Sequence, residues 1–199
     1  MKKQTFLLLA ATILTTVATY AQTQTKWAID TMHTNIGFNV GHMGISSIEG
    51  EFTSFSGMAE TKKDDFSDVS IQLTIQTASI NTDVKMRDDH LRSPDFFDAT
   101  KFPEMVFSGK VTAKVSAKIY TLKGNLTMHG VTKSVELKLT YNGQVYDEHN
   151  KIQKAGFKVE GSFKRSDFGM SGFLMKLPNG AEMVSDKIVL SIGVELVKL

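Results

Sequence analysis

Residues 69–76 read VSIQLTIQ and residues 188–196 read IVLSIGVEL, and these two stretches decide the class of fold. In both, every second residue is apolar. Alternation with a period of two places the apolar side chains on one face of a β-strand. Between them stand mainly Ser, Thr and Gln in the first stretch, as expected for antiparallel sheets buried on one side. The same alternation recurs over residues 36–40, 120–128, 135–141 and 157–163.

These runs predict about eight strands, many of them long, with no spacing that suits strand–helix–strand units. An antiparallel sheet of this size leaves two exposed edges unless it closes into a barrel or doubles. In an eight-stranded barrel the side chains either fill the interior or leave room for one small ligand. Alternation alone leaves both possibilities open.

Turn chemistry agrees with a β-rich chain. Asn142-Gly143 and Asn179-Gly180 are dipeptides typical of hairpin turns, and Pro178 reinforces the second break. One stretch differs, because residues 83–92 have helical spacing, with Thr82 or Asn81 available as a cap. The sequence therefore predicts a single short helix that must dock on the sheet.

The N-terminal 21 residues have the pattern of a secretory signal peptide. Lys2 and Lys3 precede an apolar stretch, and Thr19-Tyr20-Ala21 offers small residues at a cleavage site. We therefore expect residues 1–21 to be a signal peptide and residues 22–199 to be one domain, exported to the periplasm. The apolar stretch is too short to favour a spanning helix, so we expect no stable membrane insertion.

Charge and cysteine content restrict the class of function further. Loss of Lys2 and Lys3 would turn the excess of 23 basic over 21 acidic residues into a neutral balance. A neutral domain gives no electrostatic reason to expect nucleic acid as a partner. Because the chain has no Cys, neither a disulfide framework nor a lipid-modified thiol is available. The domain must be stabilised by burial.

Few residues suggest catalysis or metal binding. Five His occur without the spacing of a helical metal site, and we expect neither a metal nor a cofactor. No G-x-S-x-G elbow and no phosphate-binding Gly loop appears. An enzyme acting on a small apolar substrate stays open as an alternative, with Asp88, His90 and His42 as its acid–base groups.

The densest polar cluster is Arg87-Asp88-Asp89-His90-Leu91. On a helix, Arg87 and His90 lie three positions apart and can project from one face. Beside Leu91 they would place a cationic head-group site over an apolar cavity, suited to a phosphate or carboxylate. The alternative is a solvated surface helix whose charges pair among themselves.

Several segments together resemble the YceI-like family of exported lipid-binding proteins. They are residues 36–44 (IGFNVGHMG), 50–52 (GEF), 87–98 (RDDHLRSPDFFD), 102–103 (FP), 124–132 (GNLTMHGVT) and 165–169 (RSDFG). The resemblance covers nearly the whole chain from Trp27 onward, and residues 87–98 are its most specific part. Pro94 departs from the family pattern, which often has a less rigid residue there.

The resemblance implies an all-β fold: an antiparallel, lipocalin-like barrel of about eight strands with one short helix near its mouth. It implies a cavity for a long-chain polyisoprenoid or fatty amphiphile, held for transport, storage or sequestration, and no enzymatic activity. A filled barrel acting through its surface in the cell envelope is a further alternative, and a homodimer is possible through edge strands and the mouth helix. The candidate ligand-binding residues are Phe38, Val40, His42, Phe52, Arg87, His90, Leu91, Phe96, Phe97, Phe107, Leu126, Phe163 and Phe168.

Overall fold

The computed structural model describes residues 23–199, so the predicted signal peptide lies outside the described residues. Within residues 23–199, eleven strands run in chain order, with one α-helix between the sixth and the seventh. They are β1 (Thr25–Ile29), β2 (Asn35–His42), β3 (Ser46–Phe52), β4 (Phe55–Thr61), β5 (Ser70–Gln76), β6 (Ile80–Asn81), α1 (Lys85–Arg92), β7 (Glu104–Lys114), β8 (Ile119–Met128), β9 (Val131–Asp147), β10 (Ile152–Lys164) and β11 (Val184–Lys198). Short 3₁₀ turns occupy Thr77–Ser79 and Arg165–Phe168.

Eight of the strands close into an antiparallel barrel, as predicted. Their order is β1-β4-β5-β7-β8-β9-β10-β11, and β11 pairs back onto β1 through Leu196 and Ile29. Closure removes the exposed edges that an open sheet would leave. The first two thirds of β11, Val184 to Gly193, pair instead with β2, which carries β3 and β6 beyond it. These three strands extend the wall at one end, called here the upper end.

The predicted alternation places apolar side chains inside the barrel. In β9, Leu137 and Leu139 are buried, whereas Glu136 and Lys138 are exposed. The two runs that decided the fold class form strands β5 and β11. No helix within residues 23–199 is long and apolar enough to cross a membrane.

The lower end of the barrel is sealed by aromatic side chains beneath the turn between β4 and β5. Phe66 in that turn is fully buried, and its ring lies 5.2 Å from Trp27, 5.3 Å from Tyr141 and 4.9 Å from Phe157, centroid to centroid. The Tyr120 hydroxyl donates to the carbonyl of Asp65 at 2.7 Å and fixes the turn from the barrel side. This end is therefore a packed floor.

Helix α1 lies at the upper end and begins two residues later than the predicted start. Asp83 has a φ of +62°, a left-handed conformation that cannot be part of a right-handed helix. The predicted capping by Thr82 or Asn81 is wrong, since Val84 is the N-cap and no side chain caps the helix. Thr82 instead donates its N–H and hydroxyl to the carboxylate of Asp88, at 2.9 and 2.5 Å. This buried contact docks the helix on β6.

The two predicted hairpin dipeptides behave differently. Asn179-Gly180 forms a tight turn, in which Gly180 has a φ of +82° and its N–H donates to the carbonyl of Leu177. Asn142-Gly143 is not a hairpin turn, because β9 continues through it to Asp147. The register against β10 shifts there, so the dipeptide forms a β-bulge. A bulge and a hairpin turn both favour a residue with positive φ, which explains the error.

Candidate functional site

An apolar cavity of about 400 Å³ occupies the barrel interior. Its wall is built from the inward-facing residues of most strands, and nearly all of these residues are aliphatic or aromatic. The volume falls within the range of about 300–1,000 Å³ that is usual for small-molecule sites. The barrel is therefore hollow, and the choice that alternation left open is decided by the packing.

Twelve of the thirteen predicted ligand-binding residues line this cavity. They are Phe38, Val40, His42, Phe52, Arg87, His90, Leu91, Phe96, Phe97, Phe107, Leu126 and Phe163. Phe168 is not among the described residues that form the lining. Its ring packs behind Phe163 at 5.4 Å, and its carbonyl lies 3.1 Å from Nδ1 of His129. Contact of any of the thirteen with a ligand stays a prediction.

Aromatic rings join the cavity wall to the segment after α1. The ring centroid of Phe52 lies 5.7 Å from that of Phe38 and 5.7 Å from that of Phe97, and the pair with Phe97 is edge-to-face. At the outer end, Phe96 stacks on Phe173 at 6.0 Å, and the His90 ring stands edge-on to both. Because His90 and Phe173 line the cavity and are also exposed, the cavity reaches solvent between α1 and the segment around Phe173.

Arg87 and His90, the two cations predicted to bind a head group at the mouth, already make hydrogen bonds within the protein. Arg87 donates Nε to the hydroxyl of Thr82 at 2.7 Å and Nη2 to its carbonyl at 2.6 Å. His90 Nε2 lies 3.1 Å from Oδ2 of the exposed Asp95. Both side chains have access to water, so hydration satisfies their remaining donors.

Asp88 has a structural position rather than the catalytic one of the enzyme alternative. It is 6% exposed, its Oδ1 accepts both bonds from Thr82, and it is not among the residues that line the cavity. Only His42 and His90 of the proposed acid–base group reach the interior. The expected grouping of Asp88, His90 and His42 around one substrate is therefore not formed.

Sequence reasoning missed Arg165 as a site residue, although it opens the RSDFG segment of the family resemblance. Arg165 lines the cavity and is only 4% exposed. Its Nε, Nη1 and Nη2 donate to the carbonyls of Ser185, Met170 and Val184 at 3.0, 3.0 and 3.1 Å. Burial lowers the pKa of the guanidinium, and the charges of Asp186 and Glu182 act in the opposite direction.

A second polar cluster lies outside the cavity. Asp30, His33 and Glu195 place their ligand atoms within 4.8 Å of one another. The Lys154 ammonium lies 2.7 Å from Oε1 of Glu195 and 3.4 Å from Oδ2 of Asp30, and the Glu195 bond raises the pKa of Lys154. The Lys154 ammonium therefore already pairs with the two carboxylates of this cluster.

The closed antiparallel barrel, with its packed floor and hollow apolar interior, defines a lipocalin-like fold. Residues 27–196 match the model of the YceI-like domain, and the chain belongs to this family. A UPF0312 protein of Pectobacterium carotovorum is 32% identical over 184 residues, covering 92% of this chain and 95% of the relative.

Two solved structures share the fold. The Campylobacter jejuni YceI protein is 32% identical, with a TM-score of 0.68, and the match covers 85% of this chain and 96% of that one. A polyisoprenoid-binding domain from Saccharophagus degradans is 14% identical, with a TM-score of 0.66, covering 87% of this chain and 98% of that domain. At that identity the second likeness shows the fold alone.

Proposed function

We propose that this protein is exported to the periplasm and holds a fatty amphiphile or polyisoprenoid in its barrel, for transport, storage or sequestration. The observation that carries the proposal is the apolar cavity of about 400 Å³ above a packed floor, with polar groups at its upper end. The polyisoprenoid-binding description of the S. degradans domain supports a chain-like ligand for this shared fold.

The cavity volume limits how much of a chain can be buried. An apolar cavity of about 150 Å³ accepts one benzene, or roughly 25 Å³ per carbon. At that ratio the 400 Å³ cavity corresponds to roughly 16 carbon atoms. Burying 16 methylenes contributes about 13 kcal/mol at about 0.8 kcal/mol each. This exceeds the lower part of the association cost of about 4–15 kcal/mol.

Chain length is therefore the variable that tests the proposal. We expect affinity to rise roughly fourfold per added methylene until about 16 carbons are buried, and then to level off. A longer polyisoprenoid would leave its remaining units in the mouth between His90 and Phe173. Native mass spectrometry of protein from its own host would identify co-purified lipid, and titration with saturated and prenyl chains would give the length dependence.

A matched pair of variants controls for surface binding. Leu126→Trp adds volume inside the cavity, whereas Met32→Trp adds the same ring at a position that is 87% exposed. We expect only the first to lose chain uptake. A protein that is free of lipid when purified and that takes up neither fatty nor prenyl chains would contradict the proposal.

Sequencing of the mature N-terminus would test export, and light scattering would test the possible homodimer.

A further inference from the structure

Arg165 is a buried cation in the wall of an otherwise apolar cavity. Its side chain is 4% exposed, and no carboxylate within residues 23–199 forms an ion pair with it at 4.0 Å or less. The two acids whose charge acts on it are already engaged. Asp186 accepts the N–H and the hydroxyl of Ser166 at 2.9 and 2.8 Å, and Glu182 accepts the N–H of Asp186 at 2.8 Å.

The hydrogen bonds of Arg165 leave part of the guanidinium without an acceptor. A guanidinium has five N–H donors in a fixed plane. Three of them donate to the carbonyls of Ser185, Met170 and Val184, one from each nitrogen. One N–H on Nη1 and one on Nη2 remain without an acceptor among the described residues. Because burial keeps water away, such donors favour any acceptor that can enter the cavity.

The local backbone holds Arg165 in this position. The 3₁₀ turn that it starts ends at Gly169, which has a φ of +79°. The turn is closed by the Met170 N–H, which donates to the Arg165 carbonyl at 3.2 Å. The Met170 carbonyl returns as an acceptor for Nη1. Val184, which accepts from Nη2, pairs with His42 at the end of β2. The guanidinium is thus fixed at the upper end of the cavity before any ligand binds.

We infer that Arg165 is the head-group binding residue of this protein, and that the head group it takes is an anion, a carboxylate or a phosphate. The inference rests on the proposed function and specifies the ligand chemistry of that same cavity. Two N–H groups on neighbouring nitrogens suit the two oxygens of either anion. Arg87 is the less suitable anchor, because it is only half-buried and water can satisfy its free donors.

Ligands that share a chain and differ in the head group test this inference. Hexadecanoic acid, hexadecyl phosphate and hexadecanol are titrated into the wild-type protein at neutral pH. We expect the two anions to bind roughly 10- to 100-fold more tightly than the alcohol, as is typical of hydrogen bonds to charged groups. Comparing the affinities for hexadecanoic acid and hexadecyl phosphate distinguishes a preference for a fatty-acid carboxylate from a preference for a prenyl phosphate.

Two arginine variants locate the effect. Arg165→Gln should bring the ratio of anion to alcohol affinity close to one, because it weakens the binding of the two anions far more than that of the alcohol. Arg87→Gln removes the other arginine of the cavity wall and so tests the competing head-group site at the mouth, and we expect it to keep the wild-type ratio. Equal loss of all three ligands in Arg165→Gln would indicate a structural role and overturn the inference. Loss of the ratio in Arg87→Gln alone would place the head group at the mouth and overturn it as well.

The wild-type protein keeps the inference testable if Arg165→Gln fails to fold. The Nη resonances of Arg165 should shift more when hexadecanoic acid is added than when hexadecanol is added. Equal affinity of the wild type for acid and alcohol would overturn the inference while the proposed function stands. Failure to bind any of the three chains would overturn both.

Discussion

Replacement of Phe66 by Ala should destabilise the barrel more than almost any other single truncation. Phe66 is fully buried and contacts three other aromatic rings with centroids 4.9–5.3 Å away. Removing a buried Phe side chain typically costs about 3–5 kcal/mol, through lost burial and the cavity left behind. We expect the upper part of this range, because strands on all sides prevent the floor from collapsing.

The backbone at Phe66 adds a second, independent expectation. Phe66 has a φ of +57°, a left-handed conformation that disfavours any residue with a Cβ by about 1–2 kcal/mol. Phe and Ala share that penalty, so it cancels in Phe66→Ala. Gly escapes it, and Phe66→Gly should therefore be at least as stable as Phe66→Ala, contrary to the usual order.

Phe173 provides a matched control for the truncation of Phe66. It also has a φ of +57°, but its side chain is 44% exposed. Phe173→Ala should therefore lower the free energy of unfolding by less than about 1 kcal/mol. Urea unfolding followed by tryptophan fluorescence measures these differences, since Trp27 lies against Phe66. A loss below about 1 kcal/mol for Phe66→Ala, or a loss equal to that of Phe173→Ala, would refute the description of a packed floor.

Three further predictions concern the helix, the cavity and the pH dependence. Asp88→Asn should cost about 1–3 kcal/mol and speed amide exchange in α1, because the buried carboxylate accepts two bonds from Thr82; unchanged exchange would contradict this. Leu126→Trp should lower the unfolding free energy by about 1–3 kcal/mol, measured in urea, while native mass spectrometry shows no bound chain; retained uptake would count against the cavity as the site. The hydrogen bond from Lys114 contributes most to lowering the pKa of Asp65 from 3.8 to about 2. A depressed pKa adds stability that is present above pH 4 and is lost as the pH falls towards 2. The wild type should therefore lose more unfolding free energy over that window than Asp65→Asn, by less than about 1 kcal/mol because the ion pair is half-exposed. Equal losses in the two proteins would exclude the effect.

The strands and the helix could be predicted because their signals are local. The alternation in residues 69–76 depends only on each residue and its near neighbours, and it correctly predicted which side chains of β5 face inwards. The start of α1 was missed because Asp83 adopts a left-handed φ next to the Thr82–Asp88 contact, which helical spacing does not reveal. Asn142-Gly143 was misread for a related reason, since whether such a dipeptide turns or bulges depends on how far the strands continue.

The residues of the candidate site likewise divide into those that local sequence signals predict and those that only tertiary contacts define. Residues such as Phe38 and Leu126 could be predicted to face the interior, because period two gives the face of a strand without the fold. The roles of Asp88 and Arg165 could not be predicted from the sequence. Asp88 belonged to the most conspicuous polar run in the sequence and is a docking residue. Arg165 lay in a less conspicuous segment and is the most buried cation of the cavity wall.

What the sequence by itself determined is therefore the β-rich class of the domain, the inward face of each strand and a helix near residues 85–92. Tertiary structure alone decided that the barrel is hollow, that Phe66 closes its floor and that Arg165 reaches its interior. The physical reason is separation along the chain. The carbonyls that hold Arg165 come from Met170, 5 residues away, and from Val184 and Ser185, 19 and 20 residues away. Only the closed sheet brings these groups together.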